Sequence, residues 1–174
     1  NSNLFRLYNG LVDYLTLNDN TGTSPVDSSA NGNTATFGAT TAAPTWISGG
    51  QFSNAVSFDG GDYIDVASPD LPTGDFTFGA WVYLDDSNGG LVFSVEDDSG
   101  DDDEFHFSIN SSEQIEFRSN NALRLTGTTT LSTGTWTHVA LTRSGSTVTA
   151  YVNGVAGGTA SYATALSFAN CRLY

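Results

Sequence analysis

The chain has 174 residues, enough to bury one sizeable hydrophobic core, and it is strongly acidic. Its 19 Asp and Glu residues stand against five Arg and no Lys, for a formal net charge of −14 at pH 7. Such a surface repels phosphate backbones, which argues against nucleic-acid binding. No apolar run reaches the length of a membrane span, so we expect no membrane insertion.

Short runs rich in Val, Phe, Tyr, Thr and Ile alternate with clusters of Gly, Asn, Asp and Ser, which is typical of antiparallel all-β proteins. After a first strand near 11–15, the main predicted strands lie at 76–84, 105–110, 115–118, 138–141 and 148–152. Because side chains alternate along a strand, each run separates an apolar row from a polar row. The pattern predicts one all-β domain, a two-sheet antiparallel sandwich.

The polar rows of these strands are rich in aromatic rings and hydrogen-bonding groups, and they line one sheet if the strands run as a meander. Rings stack on the apolar faces of sugars, and an Arg offers a planar fork of donors. The predicted ligand-binding residues are Tyr83, His106, Arg118 and Tyr151. Outward polar residues are also ordinary in any antiparallel sheet. For Trp81 and Trp136 a buried, structural role is favoured, because large rings are mostly buried.

Three loops concentrate the side-chain oxygens that Ca²⁺ prefers. The first two give the predicted calcium ligands Asp27, Asn31, Asn33, Asp59 and Asp62. The third gives a second possible metal loop, at Asp97, Asp98, Asp101 and Asp103. Ordinary turn chemistry is the alternative for the first two loops, and a solvated hairpin tip is the alternative for the third. Cys171 is the single cysteine, so the core or a metal must hold the fold.

Four blocks follow one another along the chain: Asp27–Asn33, Val56–Val66 running on to Gly74–Val82, Gly134–Arg143 with its Trp-Thr-His-Val-Ala, and Val148–Gly154. In this order they resemble the laminin-G-like jellyroll domains of the concanavalin A-like lectin/glucanase superfamily. The resemblance covers the chain from about Gly10 onward, with Ala30 where the family usually has Gly. It implies a two-sheet jellyroll sandwich that binds sugars or proteins, often with calcium.

The termini allow several interpretations. Residues 1–9 are expected to be an upstream linker or a terminal strand of a preceding or the same module, because Asn3–Tyr8 resembles the strand that closes such domains. The domain is expected to span 10–174 and to lack its last strand after Tyr174, which leaves an open edge unless residues 1–8 or another chain fill it. Residues 1–15 lack the pattern of a signal peptide, so a mature segment or an excised module is expected.

Some relatives in the superfamily cleave glucans with paired carboxylates, so the resemblance also raises the possibility of catalysis. The run Glu96–Asp101 is the nearest candidate, but it lies in a turn and lacks the apolar spacers of such motifs. We therefore predict a non-catalytic, calcium-stabilised carbohydrate-binding or adhesion module of a secreted or surface-displayed protein, with a glycan or cell-surface glycoconjugate as its partner. A structural or protein-interaction spacer domain is the alternative, and a glycan-cleaving enzyme is the third.

Overall fold

A computed structural model describes residues 10–67, 71, 73–97, 105–166 and 171–173 of the chain. Across these residues there are thirteen strands and one short 3-10 helix, Thr40–Ala42, so the predicted all-β fold is confirmed. In this part of the chain no helix is long and apolar enough to cross a membrane. The contacts divide the chain into two compact units, which are Asn1–Leu71 with Arg172–Tyr174, and Pro72–Cys171.

The first unit contains short strands joined by polar turns. Its strands are β1 (Ala35–Phe37), β2 (Thr45–Ser48), β3 (Asn54–Ser57), β4 (Ile64–Ala67) and β13 (Cys171–Leu173, whose last two residues belong to this unit). β1 and β13 both pair antiparallel with β4, and β2 pairs with β3. Leu15 and Asp27 form an isolated antiparallel bridge ahead of these strands.

The second unit is a sandwich of two antiparallel sheets. Its strands are β5 (Phe76–Tyr83), β6 (Gly90–Asp97), β7 (Phe105–Ile109), β8 (Gln114–Ser119), β9 (Ala122–Thr130), β10 (Trp136–Ser144), β11 (Thr147–Val152) and β12 (Val155–Ser161). β6 to β9 pair in sequence order, whereas β5 pairs with β10 in a second sheet of order β12-β11-β10-β5. The predicted two-sheet sandwich is confirmed, but the strands do not run as the single meander that one shared binding face would require. The apolar rows bury each other because the strands divide into two layers.

Phenylalanine rings fill the space between the two sheets of the second unit. Phe105 is fully buried, and its ring centroid lies 5.0 to 5.7 Å from four other rings, those of Phe76, Phe78, Phe93 and Phe117. Each ring stabilises the fold by roughly 1.5–3 kcal/mol through the apolar area it removes from water. The predicted apolar rows of β7, β8, β10 and β11 are all buried, so the predicted alternation is confirmed.

Two tight turns fix the register of the hairpins. Asn153 and Gly154 join β11 to β12 with φ of 50° and 78°, and Asn120 and Asn121 join β8 to β9 with φ of 50° and 57°. Two successive positive φ values match the right-handed twist of the paired strands, and Asn and Gly adopt them at least cost. These turns determine which residues of neighbouring strands lie side by side on the outward faces.

Candidate functional site

The outward face of the sheet β12-β11-β10-β5 carries a group of aromatic rings. On β5 the apolar residues Phe76, Phe78, Ala80 and Val82 point inward, so Trp81 and Tyr83 point outward. Trp81 lies in register with His138 of β10, and Tyr83 lies in register with Trp136. The ring centroids are 5.4 Å apart in the first pair and 5.6 Å apart in the second.

The next cross-strand row has only small residues on β5 and β10. Gly79, Ala140 and Tyr151 follow one another across β5, β10 and β11. Gly79 is exposed and Ala140 adds only a methyl group, so these two residues form a low floor beside the Tyr151 ring and next to the Trp81–His138 pair. We call the seven residues of these three rows the ring face: Trp81, Tyr83, Trp136, His138, Tyr151, Gly79 and Ala140.

The ring face is accessible and uncharged. The exposed fraction is 39% for Trp81 and 45% for Tyr83, values that place both rings at the surface although they are large and apolar. No Asp, Glu, Lys or Arg occupies the ring face, in a chain with a net charge of −14. An exposed aromatic patch of this kind marks an interaction surface.

The predicted ligand-binding set is divided between two sheets. Tyr83 and Tyr151 lie on the ring face, whereas His106 and Arg118 lie opposite each other on β7 and β8, in the other sheet. Because each set points outward from its own sheet, the four side chains do not line one surface. The second outward face is polar and half-buried, with the Asn110 amide donating to the Glu116 carboxylate at 3.0 Å.

The aromatic pairs of the ring face were missed by the sequence analysis. A buried role was favoured for Trp81, yet the structure leaves its ring exposed. Strand alternation already placed Trp81 on the same side as Tyr83, and that was the available signal. The pairing with Trp136 and His138 depends on β5 meeting β10, which alternation alone does not reveal.

The predicted metal ligand Asp27 is surrounded by hydrogen-bond donors. Its Oδ1 accepts from the Tyr14 amide at 3.0 Å and the Ser29 amide at 2.7 Å, and its Oδ2 accepts from the Ser29 hydroxyl and the Asn33 amide, both at 2.7 Å. Burial acts to raise the pKa of Asp27, but these hydrogen bonds prevail and hold the pKa well below its usual range. The side-chain amides of Asn31 and Asn33 donate to the Val12 carbonyl, at 2.8 and 2.9 Å.

Asp13, which the sequence analysis did not single out, lies beside Asp27. Its Oδ1 is buried and has no hydrogen-bond donor in the described part of the chain. Burial, the negative charge of Asp27 and a hydrogen bond with Asp27 raise the pKa of Asp13 to about 6. The pair therefore accommodates a proton between two carboxylates, which is also where a cation would be stabilised.

The other predicted metal residues do not extend this pair. Asp62 Oδ2 accepts from the Asp59 amide at 2.9 Å, within one exposed turn around Gly60. Over the residues that the structure describes, no three His, Cys, Asp or Glu side chains form a metal-binding group. Asp97 is the last residue of β6, and the predicted ligands Asp98, Asp101 and Asp103 lie outside the described residues.

The two stacked antiparallel sheets of the second unit, together with the motifs in its strands, define the concanavalin A-like class. Residues 58–172 match the Laminin_G_3 model of the concanavalin A-like lectin/glucanases superfamily. The chain belongs to this laminin G-like family. Among curated proteins no sequence matches the chain.

Several solved structures have a similar fold. Domain 4 of AbnA, an extracellular arabinanase from Geobacillus stearothermophilus in complex with arabinotriose, has a TM-score of 0.64 and 17% identity, over 85% of this chain and 75% of the other. An S-layer domain-containing protein from Clostridium thermocellum has a TM-score of 0.55 and 24% identity, over 87% of this chain and 73% of the other. The binding domain of Botulinum neurotoxin DC in complex with SialylT has a TM-score of 0.55 and 12% identity, over 90% of this chain and 43% of the other. These similarities concern the fold.

Proposed function

We propose that the protein is a non-catalytic carbohydrate-binding or adhesion module that binds glycans on the ring face. The observation that carries the proposal is the exposure of Trp81 and Tyr83 side by side on one uncharged sheet face. Pyranose and furanose rings have apolar C–H faces that pack on aromatic rings, while tyrosine hydroxyls and ring N–H groups bond to sugar hydroxyls. A flat face with both kinds of group suits a sugar better than it suits an ion.

The comparisons support a glycan as partner. One structure of similar fold contains arabinotriose and another contains SialylT, although both proteins are distant from this chain in sequence. The S-layer protein and the extracellular arabinanase support a secreted or surface-displayed location. Hydrolysis of a glycosidic bond needs two carboxyl groups on opposite sides of the bond, and the ring face offers none, which supports binding without cleavage.

Calcium is part of the proposal, at a smaller site than the sequence predicted. Asp13 and Asp27 would hold the ion, because the buried Asp13 Oδ1 lacks a donor and a cation would offset the repulsion between the two carboxylates. The ion would stabilise the fold, since a ligand bound only by the folded state adds to the free energy of unfolding. A melting temperature that chelator leaves unchanged, at constant ionic strength, would remove calcium from the proposal.

A glycan array with and without calcium tests the function, followed by titration of the best ligand against paired variants. Trp81→Ala with Tyr83→Ala should weaken binding at least tenfold, because two stacking contacts of about 0.5–1.5 kcal/mol each are lost together with their buried area. The matched control is His106→Ala with Arg118→Ala on the other sheet, which should bind as the parent does. Circular dichroism confirms folding of both variants.

Two outcomes would contradict the proposal. If the control variant loses affinity and the ring variant retains it, the glycan site lies on the β7–β8 face. If the array shows no ligand in either condition, the alternative of a structural or protein-interaction spacer domain is favoured.

A further inference from the structure

A row of four threonines crosses the sheet beyond the ring face. Thr77 of β5, Thr142 of β10, Thr149 of β11 and Thr159 of β12 are cross-strand partners in succession. We call these residues the threonine row. Since neighbouring strands lie about 4.8 Å apart, the row spans about 14 Å across the sheet.

The threonine row faces outward, as the ring face does. Thr77 and Thr159 are exposed and Thr142 and Thr149 are half-buried, while Phe76, Val148 and Leu141 on the same strands are buried. One rung further, Ser144, Thr147 and Ser161 form a second row of exposed hydroxyls. Each hydroxyl both donates and accepts hydrogen bonds, which matches the hydroxyls of a sugar.

The exposed rings of Trp81 and Tyr83 are too far from the threonine row for one sugar to contact both fully. Trp81 and Thr77 are four residues apart on β5, which is about 14 Å along the strand, and Tyr83 and Thr77 are about 20 Å apart. The low floor at Gly79 lies between them. A methyl group at Gly79 would meet only ordinary contacts, the nearest being His138 Nε2 and the Val139 carbonyl oxygen, both at 3.5 Å, so the path over the floor is open.

We propose, building on the proposed function, that the threonine row is a second subsite and that the face binds an extended, uncharged glycan chain of several sugar units. The rings hold one part of the chain, and the hydroxyl rows hold the part that runs past Gly79. Asp, Glu, Lys and Arg are absent from both sets of residues, so a polyanionic chain finds no cationic partner on this face. A single terminal sugar would use only the rings.

Calorimetric titration with neutral arabino-, xylo- and cello-oligosaccharides of two to six units tests the proposal. In the series that binds, affinity should rise at least tenfold from two to six units. Thr142→Val with Thr149→Val removes two hydroxyls while it keeps the β-branched shape, so folding is retained. This double variant should bind the six-unit ligand about fivefold to tenfold more weakly and the two-unit ligand equally well. The control Thr126→Val changes an exposed threonine of β9, in the other sheet, and should change neither affinity.

A second variant tests the path between the subsites. Gly79→Val adds a strand-compatible side chain to the floor, so it should also abolish the gain with chain length. A six-unit oligogalacturonate measures the preference for uncharged chains, and it should bind at least tenfold more weakly than the neutral ligand of equal length.

The outcomes separate this proposal from the proposed function. Binding that depends on Trp81 and Tyr83, but gains nothing with chain length or is insensitive to the threonine variant, overturns the second subsite alone. Equal affinity for the oligogalacturonate overturns the preference for uncharged chains. Absence of any binding that depends on the rings overturns the proposed function and the second subsite with it.

Discussion

The core of the second unit and the turn around Asp27 in the first unit are maintained by different atoms. In the core, buried phenylalanine side chains pack around Phe105, and polar atoms contribute little. In the turn, the Asp27 carboxylate and the Asn31 and Asn33 amides bond to the backbone of neighbouring segments. Because the core holds the second unit together, the side chains on its outward face are available for a ligand. In the turn, by contrast, polar side chains hold the backbone itself.

This difference bears on how the predicted site residues are interpreted. Asp27 has the charge and the loop context of a metal ligand, and its two oxygens also accept hydrogen bonds from four donors of the turn. Trp81 has the size of a core residue, but the core is filled by other rings and Trp81 lies outside it. For Trp81, residue type suggested one role and the position of the strand determines another. For Asp27, the hydrogen bonds of the turn add a structural role to the proposed metal-binding role.

The largest expected effect comes from the core. Phe105→Ala removes the ring at the centre of the cluster and leaves a cavity, so we expect the free energy of unfolding to fall by about 3–5 kcal/mol. Urea denaturation followed by tyrosine and tryptophan fluorescence measures it. Phe105→Leu is the matched variant and should lose less, because it fills most of the cavity. Equal losses in the two variants would contradict the role of the ring in packing.

The turn should respond to a change that hardly alters shape. Asp27→Asn keeps one acceptor oxygen but replaces the other by an amide donor, which faces the Ser29 hydroxyl and the Asn33 amide. We expect the free energy of unfolding to fall by about 1–2 kcal/mol, because part-buried hydrogen-bonding groups are left unpaired. Hydrogen exchange should accelerate locally, at the amides of Tyr14 and Asn33.

Asp59→Asn is the control for the turn. The Asp59 Oδ1 accepts only a long contact, 3.5 Å from the Gly61 amide, in an exposed turn. Its substitution should change the free energy of unfolding by less than about 0.5 kcal/mol, as is usual at the surface. If Asp59→Asn lowers the free energy of unfolding as much as Asp27→Asn does, the hydrogen bonds of Asp27 are not what distinguishes its turn from the turn at Asp59.

The alternation of the strands could be read from the sequence, because a period of two is a local property. Phe105, Phe107 and Phe117 are buried as that pattern predicts. The partner of each strand could not be read in the same way. β5 pairs with β10, more than fifty residues later, because only that division stacks two apolar faces, and this depends on the whole chain.

The same limit applies to the candidate site. Tyr83 and Tyr151 were placed correctly on one sheet, while His106 and Arg118 belong to the other. Asp13 was missed because it lies in a run that reads as an ordinary first strand. Its carboxylate meets Asp27 only because Leu15 bridges Asp27 across the intervening loop. Long-range pairing therefore sets the electrostatics of residues that look unremarkable in the sequence.

The smallest expected effect concerns Asp13, whose pKa rises from the ordinary value of 3.8 to about 6 in the folded protein. Above pH 6 the carboxyl is ionised in both the folded and the unfolded state, and the folded state bears the cost of burying this charge and of its repulsion from Asp27. Between pH 6 and pH 4 the folded state binds a proton that the unfolded state does not, so stability rises as the pH falls. Asp27 has a lowered pKa, and its contribution is lost only at more acidic pH, when the folded state also protonates it.

Asp13→Asn tests this dependence because the amide cannot ionise and can donate to Asp27. In the presence of chelator at pH 7.5, we expect the variant to be more stable than the parent by about 1 kcal/mol, after allowance for solvent screening. The advantage should disappear near pH 4.5, where Asp13 of the parent is protonated. Melting temperatures measured across this pH range at constant ionic strength decide the matter. A structural effect of the amide would not follow the titration of Asp13. A difference in melting temperature between variant and parent that stays constant from pH 4.5 to 7.5 would therefore mean that the two carboxylates do not share a proton.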